Sequence, residues 1–206
     1  MKLFLKLSLN IIFFSAYFAK AQNVTQYHDY VIPLRKDDTI MCAIKTPFLS
    51  TDPVYTTSSS DKSIRILSYQ IREYYIMEED MHYLAVHKNG RRETEFMKAI
   101  EKGPINLLEE QAIRTSGMPG TGGVFSNTTT NWYIGKGIDT VRILKTSDLF
   151  SIKSKKARKN ILTDLIKDKQ EVYDKYLADD SFTFEELRSL IHFYNTGEWK
   201  TEFKDK

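Results

Sequence analysis

Residues 132–166, WYIGKGIDTVRILKTSDLFSIKSKKARKNILTDLI, change their hydrophobic period part-way, and that change decides the fold class. Up to Leu144 the apolar residues come in short β-branched and aromatic runs, Trp132 to Ile134 and Thr140 to Leu144, flanking Gly135-Lys136-Gly137. That is the pattern of a hairpin or a bulged strand. From Ala157 onward Ile161, Leu162, Leu165 and Ile166 recur at helical spacing, followed by Val172, Tyr173, Tyr176 and Leu177. One kinked helix or two short ones are expected here. Downstream, Thr183-Phe184-Glu185-Glu186 is a capping box, with Phe182 and Leu187 placed as its hydrophobic staple. Phe184, Leu187, Leu190, Ile191 and Tyr194 form the apolar stripe of this last helix, and Gly197 is placed to end it.

Upstream the signals are those of strands. Tyr30 to Leu34 and Thr39 to Lys45 flank a polar turn, Arg35-Lys36-Asp37-Asp38, and predict an antiparallel hairpin with Cys42 in its second strand. Residues 50–63 are rich in Ser and Thr and read as a loop. Ile64 to Leu67, Gln70 to Met77 and His82 to His87 follow as strands, and Asn89-Gly90 is the clearest turn. Arg91 to Glu95 can pair back, Phe96 to Lys102 reads as a turn or two of helix stopped by Gly103-Pro104, and Ile105 to Leu108 is extended. Residues 115–131 hold four of the nine glycines and read as a long loop.

The chain has 206 residues, one cysteine and a formal charge of +3. A lone cysteine excludes an intrachain disulfide scaffold and a thiolate zinc ribbon. Residues 1–21 have the three-part plan of a secretory signal peptide: Lys2 and Lys6, an apolar stretch from Leu7 to Phe18, and Ala19-Lys20-Ala21 before Gln22. Cleavage is expected between Ala21 and Gln22, and no cysteine follows to carry a lipoprotein's acyl chain. Removing the leader takes away three lysines and leaves 27 basic groups against 27 acidic ones. A neutral chain gives no reason to expect nucleic acid as a partner.

Several pieces taken in order resemble a family of uncharacterised secreted or envelope proteins of Bacteroidota, whose mature chains open with a "GDTI" hairpin. The matching residues are Ala21-Gln22, Asp38-Thr39-Ile40, Tyr69 to Tyr75, Phe96 to Gly103, Trp132 to Lys136 and Ile191 to Asn195, with Asp37 where that family has glycine. The resemblance implies a bacterial envelope address and a β-rich fold with helices at the carboxyl end. It implies no activity.

Patterns that suggest chemistry fail on their context. Gly117 to Val124 is glycine-rich, but Gly123 and Val124 stand where a phosphate-binding loop needs Lys and Ser or Thr. Ser59-Ser60-Asp61-Lys62 fits Ser-x-x-Lys without its companion motifs. No two of His28, His82, His87 and His192 have the spacing of a zinc protease motif, and His82 and His87 face opposite sides of a continuous strand. Glu78-Glu79-Asp80 reads as a solvated turn, and Cys42 as a small buried hydrophobe. Lys153, Lys155, Lys156, Arg158 and Lys159 form a basic run at a helix start, suited to an anionic membrane surface or glycan.

These readings give an α+β fold: a twisted antiparallel sheet of about 7–9 strands followed by two or three carboxyl-terminal helices packed on it. Residues 1–21 are the signal peptide, 22–150 the β-rich region and 151–206 the helical region of the same domain. The expected function is that of an exported, non-enzymatic binding or structural protein of the bacterial envelope, periplasmic or extracellular, without a cofactor or metal. Trp132 and Tyr133, taken as exposed aromatics beside the glycine-rich loop, and the basic run are its candidate binding residues; an envelope protein, a glycan or an anionic membrane are its candidate partners. A hydrolase whose site assembles only in three dimensions, or a peripheral membrane protein using residues 153–159, is the alternative.

Overall fold

In the computed structural model, residues 27–46, 52–117, 124–137, 140–147, 155–178, 183–200 and 202–203 are described. They contain ten strands and three helices. The strands are β1 (Asp29–Pro33), β2 (Ile40–Lys45), β3 (Val54–Thr57), β4 (Ser60–Arg65), β5 (Ile71–Ile76), β6 (Met81–Lys88), β7 (Thr94–Glu101), β8 (Ile105–Gly117), β9 (Val124–Lys136) and β10 (Thr140–Thr146). The helices are α1 (Lys155–Ile166), α2 (Gln170–Ala178) and α3 (Phe184–Thr196). The α+β class holds, with the helices all carboxyl-terminal to the strands.

One sheet runs β10-β9-β8-β7-β6-β5-β1-β2-β3-β4. Its pairs are antiparallel except one: β10 also lies parallel to β6, with Thr140 opposite His87 and Val141 opposite Lys88. β5 occupies that edge of β6 only from Met81 to Leu84, so its departure leaves room for β10. Strands β6 to β10 thereby close into a ring, which removes two free edges. Leu84, Val86, Met97, Ala99, Leu108 and Val141 pack together on the face turned into that ring.

The opposite face of β8 to β10 carries Ile105, Leu107, Trp132, Ile134 and Leu144 against the helices. Leu162 and Ile166 of α1, Val172 and Tyr176 of α2, and Leu187, Leu190, Ile191 and Tyr194 of α3 complete this core. The α3 stripe is the expected one, with Phe184 only half-buried. Its capping box is formed, and Gly197 ends it at φ 80°, a left-handed conformation that glycine adopts at least cost. Phe182 lies outside the described residues. A third cluster, Val31, Cys42, Tyr55, Ile66, Ile71 and Tyr74, sits beneath β1 to β5.

Three expectations are corrected. Residues 54–57 and 60–63, expected in a loop, belong to an edge hairpin of Val54–Thr57 and Ser60–Arg65, with Ser58 and Ser59 at its turn. Phe96 to Lys102 is not helical: Thr94–Glu101 is a strand paired on both sides, and pairing with β6 and β8 outweighs local preference. Residues 115–117 and 124–131 belong to β8 and β9, whose ladder runs from Ile105 opposite Lys136 to Gly117 opposite Val124. Backbone hydrogen bonds order this Thr-rich ribbon; 118–123 lie outside the described residues.

Candidate functional site

The residues that end the ring's interior are not apolar. Along β6 the inward positions are His82, Leu84, Val86 and Lys88, so one histidine and one lysine cap opposite ends of the apolar filling. At the Lys88 end, Nζ lies 2.5 Å from Glu110 Oε1 and 2.8 Å from Glu95 Oε1. The Tyr133 hydroxyl donates to Glu110 Oε2 at 2.9 Å, and the Tyr133 ring lies 5.3 Å from the ammonium. The Glu95 contact is ionic without hydrogen-bond geometry, since that oxygen is buried and accepts no hydrogen bond. Lys88 is buried, and a lysine there needs these carboxylates.

At the other end stands Glu73 of β5, 5% exposed. Its Oε1 accepts from the Tyr30 hydroxyl at 2.8 Å and from Lys102 Nζ at 2.5 Å, and lies 2.9 Å from His82 Nδ1. Burial pushes the Glu73 carboxyl up, but the hydrogen bonds from His82, Lys102 and Tyr30 outweigh it and hold the group at about 2. Tyr75 stacks on Tyr30 at 5.3 Å and lies tilted against His82 at 4.7 Å.

Outside the ring, a row of side chains crosses the sheet on the helix side. Lys98 is opposite Glu109, and Glu109 opposite Trp132, so all three share a face. Trp132 Nε1 donates to Glu109 Oε2 at 3.1 Å. The β7 register then slips between Ala99 and Glu101. Ala99 pairs with Leu108, which faces the ring, whereas Glu101 pairs with Leu107, which faces the helices. The bulge thus aims Glu101 at α3. There Arg188 Nε donates to Glu101 Oε1 at 2.8 Å, and His192 Nδ1 lies 3.0 Å from Oε2. The Phe203 ring covers the Arg188 guanidinium at 4.1 Å.

These groups line one cleft of about 870 Å³ between β6 to β8, the start of α3 and the carboxyl-terminal segment. His82, Lys98, Glu101, Lys102, Glu109 and Arg188 are among its charged or titratable lining, with Asp80, Lys200 and Glu202, and Trp132 also lines it. Lys102 and Arg188 are held by carboxylates; Lys98 is a cleft cation that makes no hydrogen bond or ion pair among the described residues.

The sequence placed binding on an exposed Trp132–Tyr133 pair, and that exposure is corrected. Adjacent residues of β9 point to opposite faces. Trp132 is 6% exposed, packed edge-on to Phe184 at 4.2 Å in the helix-side core, and also lines the cleft. Tyr133 is half-buried toward the ring interior. Of the basic run, Lys155, Lys156, Arg158 and Lys159 open α1 as expected; their side chains, Lys153, and the Ala21–Gln22 junction lie outside what the structure describes. Cys42 is fully buried, and its thiol is pushed up to about 12 by desolvation and then by the charge of Asp29. A thiol so held is protonated at neutral pH and inert as a nucleophile.

Sequence reasoning missed Glu73, Glu101, Lys102 and Arg188, and gave His82 no role beyond failing the zinc-protease spacing. The available signal was a carboxylate, Glu73, inside the otherwise aromatic and aliphatic run Ile71 to Ile76. None of the described helices is long and apolar enough to cross a membrane. Neither a family model, nor a curated protein, nor a solved structure matches the chain.

Proposed function

We propose that the protein is an exported binding protein of the bacterial envelope, and that the cleft beside α3 holds its ligand. The leader-like residues 1–21 and the resemblance to Bacteroidota envelope proteins support the address. The observation that carries the binding reading is Lys98: a cation with no hydrogen bond or ion pair among the described residues, in a cleft where Lys102 and Arg188 are held by the carboxylates of Glu73 and Glu101. Fixed charges of both signs need little reorganisation to receive a polar ligand, which lowers the cost of binding. Glu101 and Glu109 beside Lys98 and Arg188 suit a zwitterionic ligand of the size of a short peptide better than a simple anion.

The test is a thermal-shift screen of the leaderless chain against free amino acids and di- to tetrapeptides. Stabilisation by at least one compound, lost in Lys98→Met, is expected. A flat response across the screen, or a shift that Lys98→Met leaves intact, contradicts the reading.

A second reading rests on Glu73 and His82. A carboxylate on Nδ1 leaves Nε2 of a neutral imidazole as an acceptor, the base-and-orienter half of a hydrolytic site. Hydrolysis of an ester or peptide probe that His82→Gln abolishes would favour it over binding alone.

A further inference from the structure

We propose that a second cavity, of about 1070 Å³ between the 66–70 turn and the outer wall of β5 to β7, is a binding site for a hydroxyl-rich glycan. It lies on the other side of β6 and β7 from the ring interior and shares no lining residue with the cleft.

The cavity is built without a ligand. Ser68 Oγ donates to the Thr94 carbonyl at 2.7 Å, and Thr94 Oγ1 donates to Ser68 Oγ at 3.0 Å. These bonds tie the 66–70 turn to the start of β7 and fix the distance between the two walls. Tyr74 and Tyr83, opposite each other on β5 and β6, stack at 4.6 Å with an 8° interplanar angle, and Phe96 meets Tyr74 edge-on at 4.9 Å. Tyr69 stands at the mouth, 64% exposed. An aromatic face left in water at the lip of a cavity is the surface on which the C–H face of a sugar ring packs.

The polar groups decide the ligand class. Tyr74 is 6% exposed, lines the cavity, and its hydroxyl has no hydrogen-bond partner among the described residues. Tyr83 differs, donating to Glu79 Oε2 at 2.7 Å. Burial pushes the Tyr74 phenol up, so it stays protonated and able to donate. That hydroxyl is not sealed from solvent, so it opens on the cavity and can donate to a ligand oxygen. His87, Arg92 and Glu93 ring the mouth, exposed and without partners among the described residues. Donors and a carboxylate acceptor side by side match sugar hydroxyls, each of which donates and accepts. Proline-rich peptides also use aromatic grooves, but they have few N–H groups to offer Glu93.

The experiment is calorimetric titration of the leaderless chain with cellohexaose, xylohexaose, mannohexaose and chitohexaose, and separately with decaproline. Binding of at least one hexasaccharide is expected, weakened about tenfold or more by Tyr69→Ala and about three- to tenfold by Tyr74→Phe. Lys98→Met in the cleft leaves it unchanged, which separates this site from the first. Tyr69 is exposed and Tyr74→Phe removes only an oxygen, so melting temperature checks that both variants fold. No hexasaccharide binding at millimolar concentration, binding indifferent to both tyrosine variants, or tighter binding of decaproline overturns the proposal.

Discussion

The carboxamide of Asn195 makes both backbone hydrogen bonds of Ile105: Oδ1 accepts from its N–H at 3.0 Å and Nδ2 donates to its carbonyl at 2.8 Å. β7 pairs with β8 only from Leu107 onward, so the Ile105 edge has no strand beside it, and a side chain of α3 takes the strand's place. The approach requires a bare backbone nearby, because a Cβ on Gly103 would lie 2.6 Å from Asn195 Cγ. This contact fixes α3, and with it Arg188 and His192, against the sheet.

Asn195→Ala therefore leaves two backbone groups of a fully buried residue unpaired and is expected to destabilise by about 2–4 kcal/mol. Gly103→Ala should cost a similar amount by displacing the same carboxamide. Combined, the two should cost far less than their sum, since truncating Asn195 already removes the atoms that the new Cβ would meet; denaturant titration of the double-mutant cycle measures this. Additive costs would show that the two residues act separately.

Glu73 contributes to the acid limit of stability. Its carboxyl titrates at about 2 in the folded chain and at the ordinary glutamate value of 4.5 when free. A depressed carboxylate stabilises above its unfolded value, and that contribution is lost as pH falls toward the folded one. About 3 kcal/mol should disappear between roughly pH 5 and pH 2. Chemical denaturation across that range should show the loss in the native chain and a much shallower slope in Glu73→Gln, which is also weaker at pH 7.

Cys42 should react with a thiol reagent only through unfolding. Burial and a thiol raised to about 12 predict negligible labelling at pH 8 in native conditions and complete labelling in denaturant. Cys42→Ala should fold with a loss of about 1–2 kcal/mol. Rapid native labelling would contradict the packing of Val31, Tyr55 and Tyr74 around it.

Trp132 joins the sheet to the helices. Trp132→Phe keeps most of its contact with Phe184 and forfeits the bond to Glu109, so a loss of about 1–2 kcal/mol is expected; Trp132→Ala should cost about 3–5 kcal/mol. A substitution to alanine with no effect on melting would return the residue to the exposed role its sequence suggested.

What is legible in the sequence follows from local chemistry. The first hairpin, the Asn89-Gly90 turn and the capping box on α3 are written in residues close together, and each is where it is expected. The β3–β4 hairpin and the outer ribbon of β8 and β9 read as loops because Ser, Thr and Asn carry no burial signal, although their backbones pair. β7 reads as helical because the partners that make it a strand are set by tertiary pairing on each side. The candidate site is almost illegible. It depends on a one-residue bulge near Ile100 that turns Glu101 toward Arg188, 87 residues away, and on ring closure by β10.

The central claim is that the protein does its work outside the cytoplasm. Amino-terminal sequencing of the protein recovered from the fractionated native host tests it most directly. The predicted result is Gln22 as the first residue, in a soluble envelope or culture fraction. An intact Met1 in the cytoplasmic fraction would contradict it.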